Sequence, residues 1–147
     1  MLPAQKAIKT MRVLVIDAED EHRQGIQARF EADGYLNISA TDKGEDAIRL
    51  LTTGLASRNP FDLILLDLGL ADRPGLEAFA EIRGIFDVPV LLMVDRAERA
   101  LAVEAMGKGG VEYIQRPVDL RLLQIKVWTM SLGCWMAVTF TICVLGG

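Results

Sequence analysis

Cysteine is almost missing from this sequence of 147 residues, which holds only Cys134 and Cys143. Two thiols exclude a disulfide framework and a four-thiolate zinc centre, and at their spacing on a helix they would face opposite sides and form no metal pair. Histidine occurs once, as His22. It reads as a solvated helix residue away from any strand end, which leaves a small enzyme without a nucleophile–base pair. Basic side chains number 16 against 20 acidic ones, for a net charge of −4. With no Lys/Arg surplus to neutralise phosphates, no nucleic-acid partner is expected. The first strand-to-helix turn, Asp17-Ala18-Glu19-Asp20-Glu21, has no glycine before Gly25, so the dinucleotide fingerprint is absent. Gly107-Lys108-Gly109-Gly110 lacks the upstream glycine and the Ser/Thr of a phosphate-binding loop, and reads as a turn. No repeat or low-complexity segment is found, and no apolar stretch follows Lys6 and Lys9, so no secretory leader is expected.

What is present is a foldable chain of one-domain size, 51% hydrophobic and 24% charged. Short β-branched runs at 12–16, 35–40, 61–66, 88–94 and 111–115 read as strands. Between them, 20–32, 46–55, a segment from Pro74, and 98–106 carry apolar residues at helical spacing, and a last helix starts near Asp119. Strands that are apolar throughout, alternating with helices, indicate a doubly wound α/β fold whose parallel sheet is covered on both faces. In such folds ligands bind beyond the carboxyl ends of the strands. Those ends carry Asp17, Asp67, Val94-Asp95 and Arg116-Pro117, so two carboxylates and a cation meet at one sheet edge, which suits a site for a cation and a phosphoryl group.

Every charged side chain lies at or before Lys126. The folded domain is thus read as residues 11–126, after an extension at 1–10 and before an apolar tail at 127–147 that continues the last helix. A helix over 127–145 would be about 28 Å long, close to the roughly 30 Å of a bilayer core. Arg121 and Lys126 would lie on its cytoplasmic side, with Trp128 at the interface. Thr129, Gly133, Ala137 and Thr141 form a small-residue stripe suited to close helix pairing. Three readings stay open for the tail: a membrane anchor, a surface buried in a homodimer, or an interfacial or unstructured segment. A competing demand is that the last helix must cover the sheet from about 120 to 131.

VLVIDAED at 13–20, DLILLDLGLADRPGLEAF at 62–79, VPVLLMVD at 88–95 and YIQRPVD at 113–119 occur in order, each at a strand end. Over residues 11–126 the chain resembles the receiver domain of two-component response regulators. The resemblance implies a five-stranded parallel sheet of order 2-1-3-4-5. It implies Asp67 as acceptor of a phosphoryl group from a sensor histidine kinase or phosphotransfer protein, and Mg²⁺ held by Asp17, Asp67 and the backbone carbonyl of Gly69. It also implies Arg116 at the position of a lysine before a cis-proline, Val94 at that of a Ser/Thr, and Tyr113 as switch aromatic. Three positions depart from the pattern. Ala18 replaces a second acid and lowers the expected affinity for Mg²⁺, which depends on ligand charge. Val94 removes a hydroxyl, and Arg116 exchanges a compact ammonium for a planar fork. The implied function is a single-domain, cytoplasmic regulator that is not an enzyme beyond self-phosphorylation and that signals to a downstream protein. The alternative is a degenerate receiver acting as a phosphorylation-independent interaction module, tethered to the inner face of a membrane.

Overall fold

The structure, a computed structural model, describes residues 8–107 and 110–131. In chain order it contains β1 (Arg12–Ile16), α1 (Asp20–Ala32), β2 (Asn37–Thr41), α2 (Gly44–Ala56), β3 (Leu63–Asp67), α3 (Gly75–Ile85) and β4 (Val90–Val94). A single 3₁₀ turn, Arg96–Glu98, then leads into α4 (Arg99–Met106), followed by β5 (Val111–Gln115) and the helical residues 120–131, here α5. The five strands form one sheet of order β2-β1-β3-β4-β5, parallel at every pairing.

The two-sided covering follows from the strand sequences. Leu14, Ile16, Ile64, Leu66, Leu92 and Val94 face one side and pack with Ala47 and Leu51 of α2, Phe79 and Ile82 of α3, and Ala102 and Ala105 of α4. Their neighbours Val13, Val15, Leu63, Leu65, Leu91 and Met93 face the other side and pack with Ile26 and Phe30 of α1 and Leu123 and Val127 of α5. Both alternations are apolar, so β1, β3 and β4 are apolar throughout. That is the physical reason they read as continuous runs. β5, at the sheet edge, buries Val111 and Ile114 but not Gln115.

Four segments depart from the sequence reading. β2 begins at Asn37 rather than at 35, because Tyr35 turns into the core and meets the Phe30 ring edge-on at 4.8 Å. β3 begins two residues later, at Leu63, so that Phe61 precedes it, beneath the Arg12 guanidinium at 4.1 Å, and Asp67 is its last residue. β4 begins at Val90, since Pro89 has no N–H to give to the ladder. α2 begins two residues early, at Gly44, for a reason given below.

Both ends of the described chain belong to this core. Ile8 is buried against it, and Lys9 O accepts from Leu36 N at 3.0 Å. On α5, Val127 is buried, and Trp128 and Met130 pack against the same cluster. The structure thus packs Trp128 against the protein core, and the helix covers the sheet as the competing demand required. Among the described residues, no helix is long and apolar enough to cross a membrane. The rest of the expected tail, 132–147, with Gly133, Ala137 and Thr141, lies outside the described residues.

Candidate functional site

Strand register assembles the site. Ile16 pairs with Leu66, so the aspartates that follow, Asp17 and Asp67, sit side by side at the carboxyl end of the two central strands. Asp67 pairs with Met93 and Val94 with Gln115, which bring Val94 and Arg116 to the same end. Burying a carboxylate is costly unless it is paired or hydrogen-bonded. Asp17 and Asp67 are the buried charged residues of the described chain, at 0% and 2% exposure. Both are paired.

Asp67 Oδ1 accepts the Gly69 N–H at 2.8 Å and forms an ion pair with Arg116 Nη2. That contact lacks the direction of a hydrogen bond. The other arm of the guanidinium, Nη1, lies 3.7 Å from Asp95 Oδ1. Arg116 is anchored through its backbone N–H, which donates to Val94 O at 2.8 Å, and its bond to Pro117 is cis. Val94 is fully buried, so the site has an apolar wall where the family pattern has a hydroxyl.

Asp17 Oδ1 accepts the Glu19 N–H at 3.0 Å, and its Oδ2 meets His22 Nδ1. This corrects the sequence reading of His22. The side chain is only 20% exposed and lies on the strand-end carboxylate. The physical reason is that α1 begins at Asp20, so His22 stands in its first turn, directly over the end of β1. A histidine in the first helical turn after a strand-end acid was the available signal. Glu19 and Asp20 are exposed and do not replace the missing acid at Ala18. Asp20 instead holds Arg23 Nη2 at 2.6 Å, while Arg23 Nη1 donates to Asp17 O at 2.9 Å.

Tyr113 is half-buried, and its hydroxyl accepts from Arg99 Nε at 3.2 Å. Lys126 Nζ lies 5.9 Å from its ring centre. It stands on β5 beside the site and packs at the edge of the core.

The loop that carries Gly69 is fixed at its far end by a residue missed in the sequence. Asp72 Oδ1 accepts the Gly44 N–H at 3.0 Å and its Oδ2 the Glu45 N–H at 3.1 Å, capping α2 from 28 residues downstream. The Gly44 N–H above all, with the Glu45 N–H, holds the Asp72 carboxyl below its usual range, against an opposing effect of burial. Arg73 Nη2 reaches Glu81 Oε2 at 2.7 Å. At the start of α3, Gly75 lets the helix approach so closely that a Cβ would overlap the backbone of Leu68.

Asp17, Asp67 and the Gly69 carbonyl are hard oxygen donors, the type that Mg²⁺ takes. Among the described residues, no group of three or more His, Cys, Asp or Glu is placed to hold a metal ion. A cation here would therefore rest on two carboxylates and a carbonyl.

Residues 13–127 match the response regulator receiver domain family. The transcriptional regulatory protein KdpE of Mycobacterium tuberculosis is 31% identical over 108 residues, spanning 74% of this chain and 45% of that protein. The KDP operon transcriptional regulatory protein KdpE of Escherichia coli is 31% identical over 118 residues, spanning 78% and 48%. The chain thus covers about half the length of these relatives. A response regulator receiver domain from Clostridium thermocellum superposes with a TM-score of 0.74 at 23% identity, covering 87% of this chain and 98% of that one.

Proposed function

This chain belongs to the response regulator receiver domain family, and from that premise we propose that it accepts a phosphoryl group on Asp67 and passes the signal on by protein–protein contact. The observation that carries this reading is the buried Asp67 carboxylate facing the Arg116 guanidinium at the carboxyl end of the central strands. Asp67 Oδ1 is committed to Gly69 and Arg116, so Oδ2 is the nucleophile. It attacks the phosphorus of a phosphohistidine on a sensor kinase or phosphotransfer protein. The P–N bond breaks, and an acyl phosphate remains on Asp67. Two anions that approach each other must be screened, and Arg116 supplies a positive charge that moves from the carboxylate onto the phosphoryl oxygens. Asp17, Asp67 and the Gly69 carbonyl would hold Mg²⁺, which supplies further charge neutralisation when bound. The affinity is low, because Ala18 leaves the site one acid short.

Tyr113 has no hydroxyl at Val94 to follow, and its own hydroxyl is held by Arg99 instead. The second reading, a phosphorylation-independent docking module, is favoured by one observation: each buried carboxylate already has a protein partner, His22 or Arg116. We further propose that the uncharged segment 132–147 makes the protein associate with membranes or with a second copy of itself. A chain ending at Ser131 keeps Val127 in the core, and it should lose vesicle flotation or dimer formation relative to the full chain.

Intact mass after incubation with acetyl phosphate and Mg²⁺ decides between the two functions. A gain of one phosphoryl group in the wild type but not in Asp67→Asn supports transfer. A gain in both refutes Asp67 as acceptor, and a gain in neither establishes the docking module.

A further inference from the structure

We propose that His22 lowers the cation affinity of this site by occupying Asp17, so that a divalent ion binds in competition with the imidazole. The inference rests on the reading of Asp17 as a cation ligand and adds a residue of this chain to it. Both Asp17 oxygens are engaged by the protein, Oδ1 by the Glu19 N–H at 3.0 Å and Oδ2 by His22 Nδ1. Asp17 is fully buried, so both positions lie inside the protein. A cation that takes Oδ2 competes with the ring nitrogen for that oxygen and weakens or breaks a hydrogen bond to a charged group. Ala18 and His22 thereby act in the same direction, one by removing an acid and the other by occupying the acid that remains.

The contact is also built to open. His22 is 20% exposed, so a rotation about its side-chain bonds brings the ring into solvent. Its Nε2 is buried with no hydrogen-bond partner. A buried ring nitrogen left unpaired is unfavourable, and it regains its hydrogen bond in water. Leaving Asp17 is thus partly offset by solvating Nε2. The surrounding turn stays in place during this movement, since Arg23 ties the Asp17 carbonyl at 2.9 Å and Asp20 at 2.6 Å. The motion is confined to one side chain.

Calorimetric titration of the full chain with MgCl₂ tests this. His22→Phe keeps the ring volume without a donor to Asp17, and it should bind Mg²⁺ about tenfold more tightly than wild type, the effect of one hydrogen bond to a charged group. His22→Gln retains a donor and should stay near wild type. Asp17→Asn should not bind. Circular dichroism melts check that each variant is folded, with His22→Ala as replacement should the Phe variant not fold. Equal or weaker binding by folded His22→Phe, with binding abolished in Asp17→Asn, overturns the role of His22 and leaves the cation site standing. No binding in any variant overturns both the inference and the Mg²⁺ part of the proposed function, while Asp67 labelling by acetyl phosphate without Mg²⁺ still reports on the acceptor.

Discussion

Replacing Gly75 by Ala adds one methyl group where the fold leaves no room for it. Gly75 is buried at the start of α3, and a Cβ there would overlap the Cα, carbonyl carbon and carbonyl oxygen of Leu68. These are backbone atoms, so no flexible side chain can swing aside. Leu68 is itself held, with its side chain in the core and its N–H directed at Met93 O at 3.4 Å. Further along, the loop is tied to α2 through Asp72 and to α3 through the Arg73–Glu81 pair. Forcing a methyl into a packed site costs about 1–3 kcal/mol. Alanine recovers up to about 1 kcal/mol through its higher helix propensity. Packing wins, and the net loss should be about 1–2 kcal/mol, which lowers the melting temperature by about 3–8 °C in a domain of this size.

The same substitution at Gly25 isolates the propensity term. Gly25 is exposed inside α1, with nothing within 4 Å of a Cβ, so Gly25→Ala should stabilise by about 0.5–1 kcal/mol. Far-UV circular dichroism melts of the two variants must therefore shift in opposite directions. Leu68 follows Asp67 directly, so Gly75→Ala should also slow acetyl-phosphate labelling while Gly25→Ala does not. A Gly75→Ala protein that melts at or above wild type would refute the close-approach argument, because the loop would then yield without cost.

Two further expectations concern pH. The Asp72 carboxyl titrates below its usual range, so its cap stabilises the fold above the ordinary value near 3.9 and is lost as pH falls through the lowered value. Asp72→Ala should cost about 1 kcal/mol at neutral pH, with the difference from wild type vanishing in acid melts; a difference that is constant with pH would contradict it. Tyr35 behaves in the opposite sense: burial first, then the Asp33 charge, pushes its hydroxyl up to about 12. Its contribution is complete below the ordinary value of about 10 and is lost as pH rises towards about 12. The hydroxyl is buried without a partner, so Tyr35→Phe should match or exceed wild-type stability at neutral pH and lose less in alkaline unfolding. A clear loss at neutral pH would show that the hydroxyl is paired.

The fold was legible where periodicity and burial coincide. β1, β5 and α1 have the bounds read from the sequence, because each is closed by a residue whose neighbours in sequence settle the matter. Phe61 and Val88 are apolar and buried, yet lie ahead of their strands. Hydrophobicity reports burial, whereas strand limits depend on which N–H groups meet a partner, and the two diverge at the core's margin. α2 shows the same limit. Its first turn is stabilised by a carboxylate 28 residues away, and no local signal at Gly44 encodes that.

The site divides along the same line. Asp17, Asp67, Val94 and Arg116 were accessible from sequence because strand ends converge by topology alone, whatever the side chains do. How the two buried acids are neutralised was not accessible, since that depends on reach and direction. Arg116 comes from the far edge of the sheet and passes beside Val94 to Asp67, and His22 comes from the first turn of α1 to Asp17. The family pattern leaves its acids to be satisfied by a cation and a compact ammonium. Here the chain supplies a guanidinium and an imidazole of its own, and it has shed one acid at Ala18. Each change lowers the need for an external charge in the resting state. Together they separate two properties: folding of the acidic pocket, which this chain stabilises internally, and loading of the pocket, which under the proposed function competes with His22 at Asp17 and draws Arg116 from Asp67 as the phosphoryl group arrives.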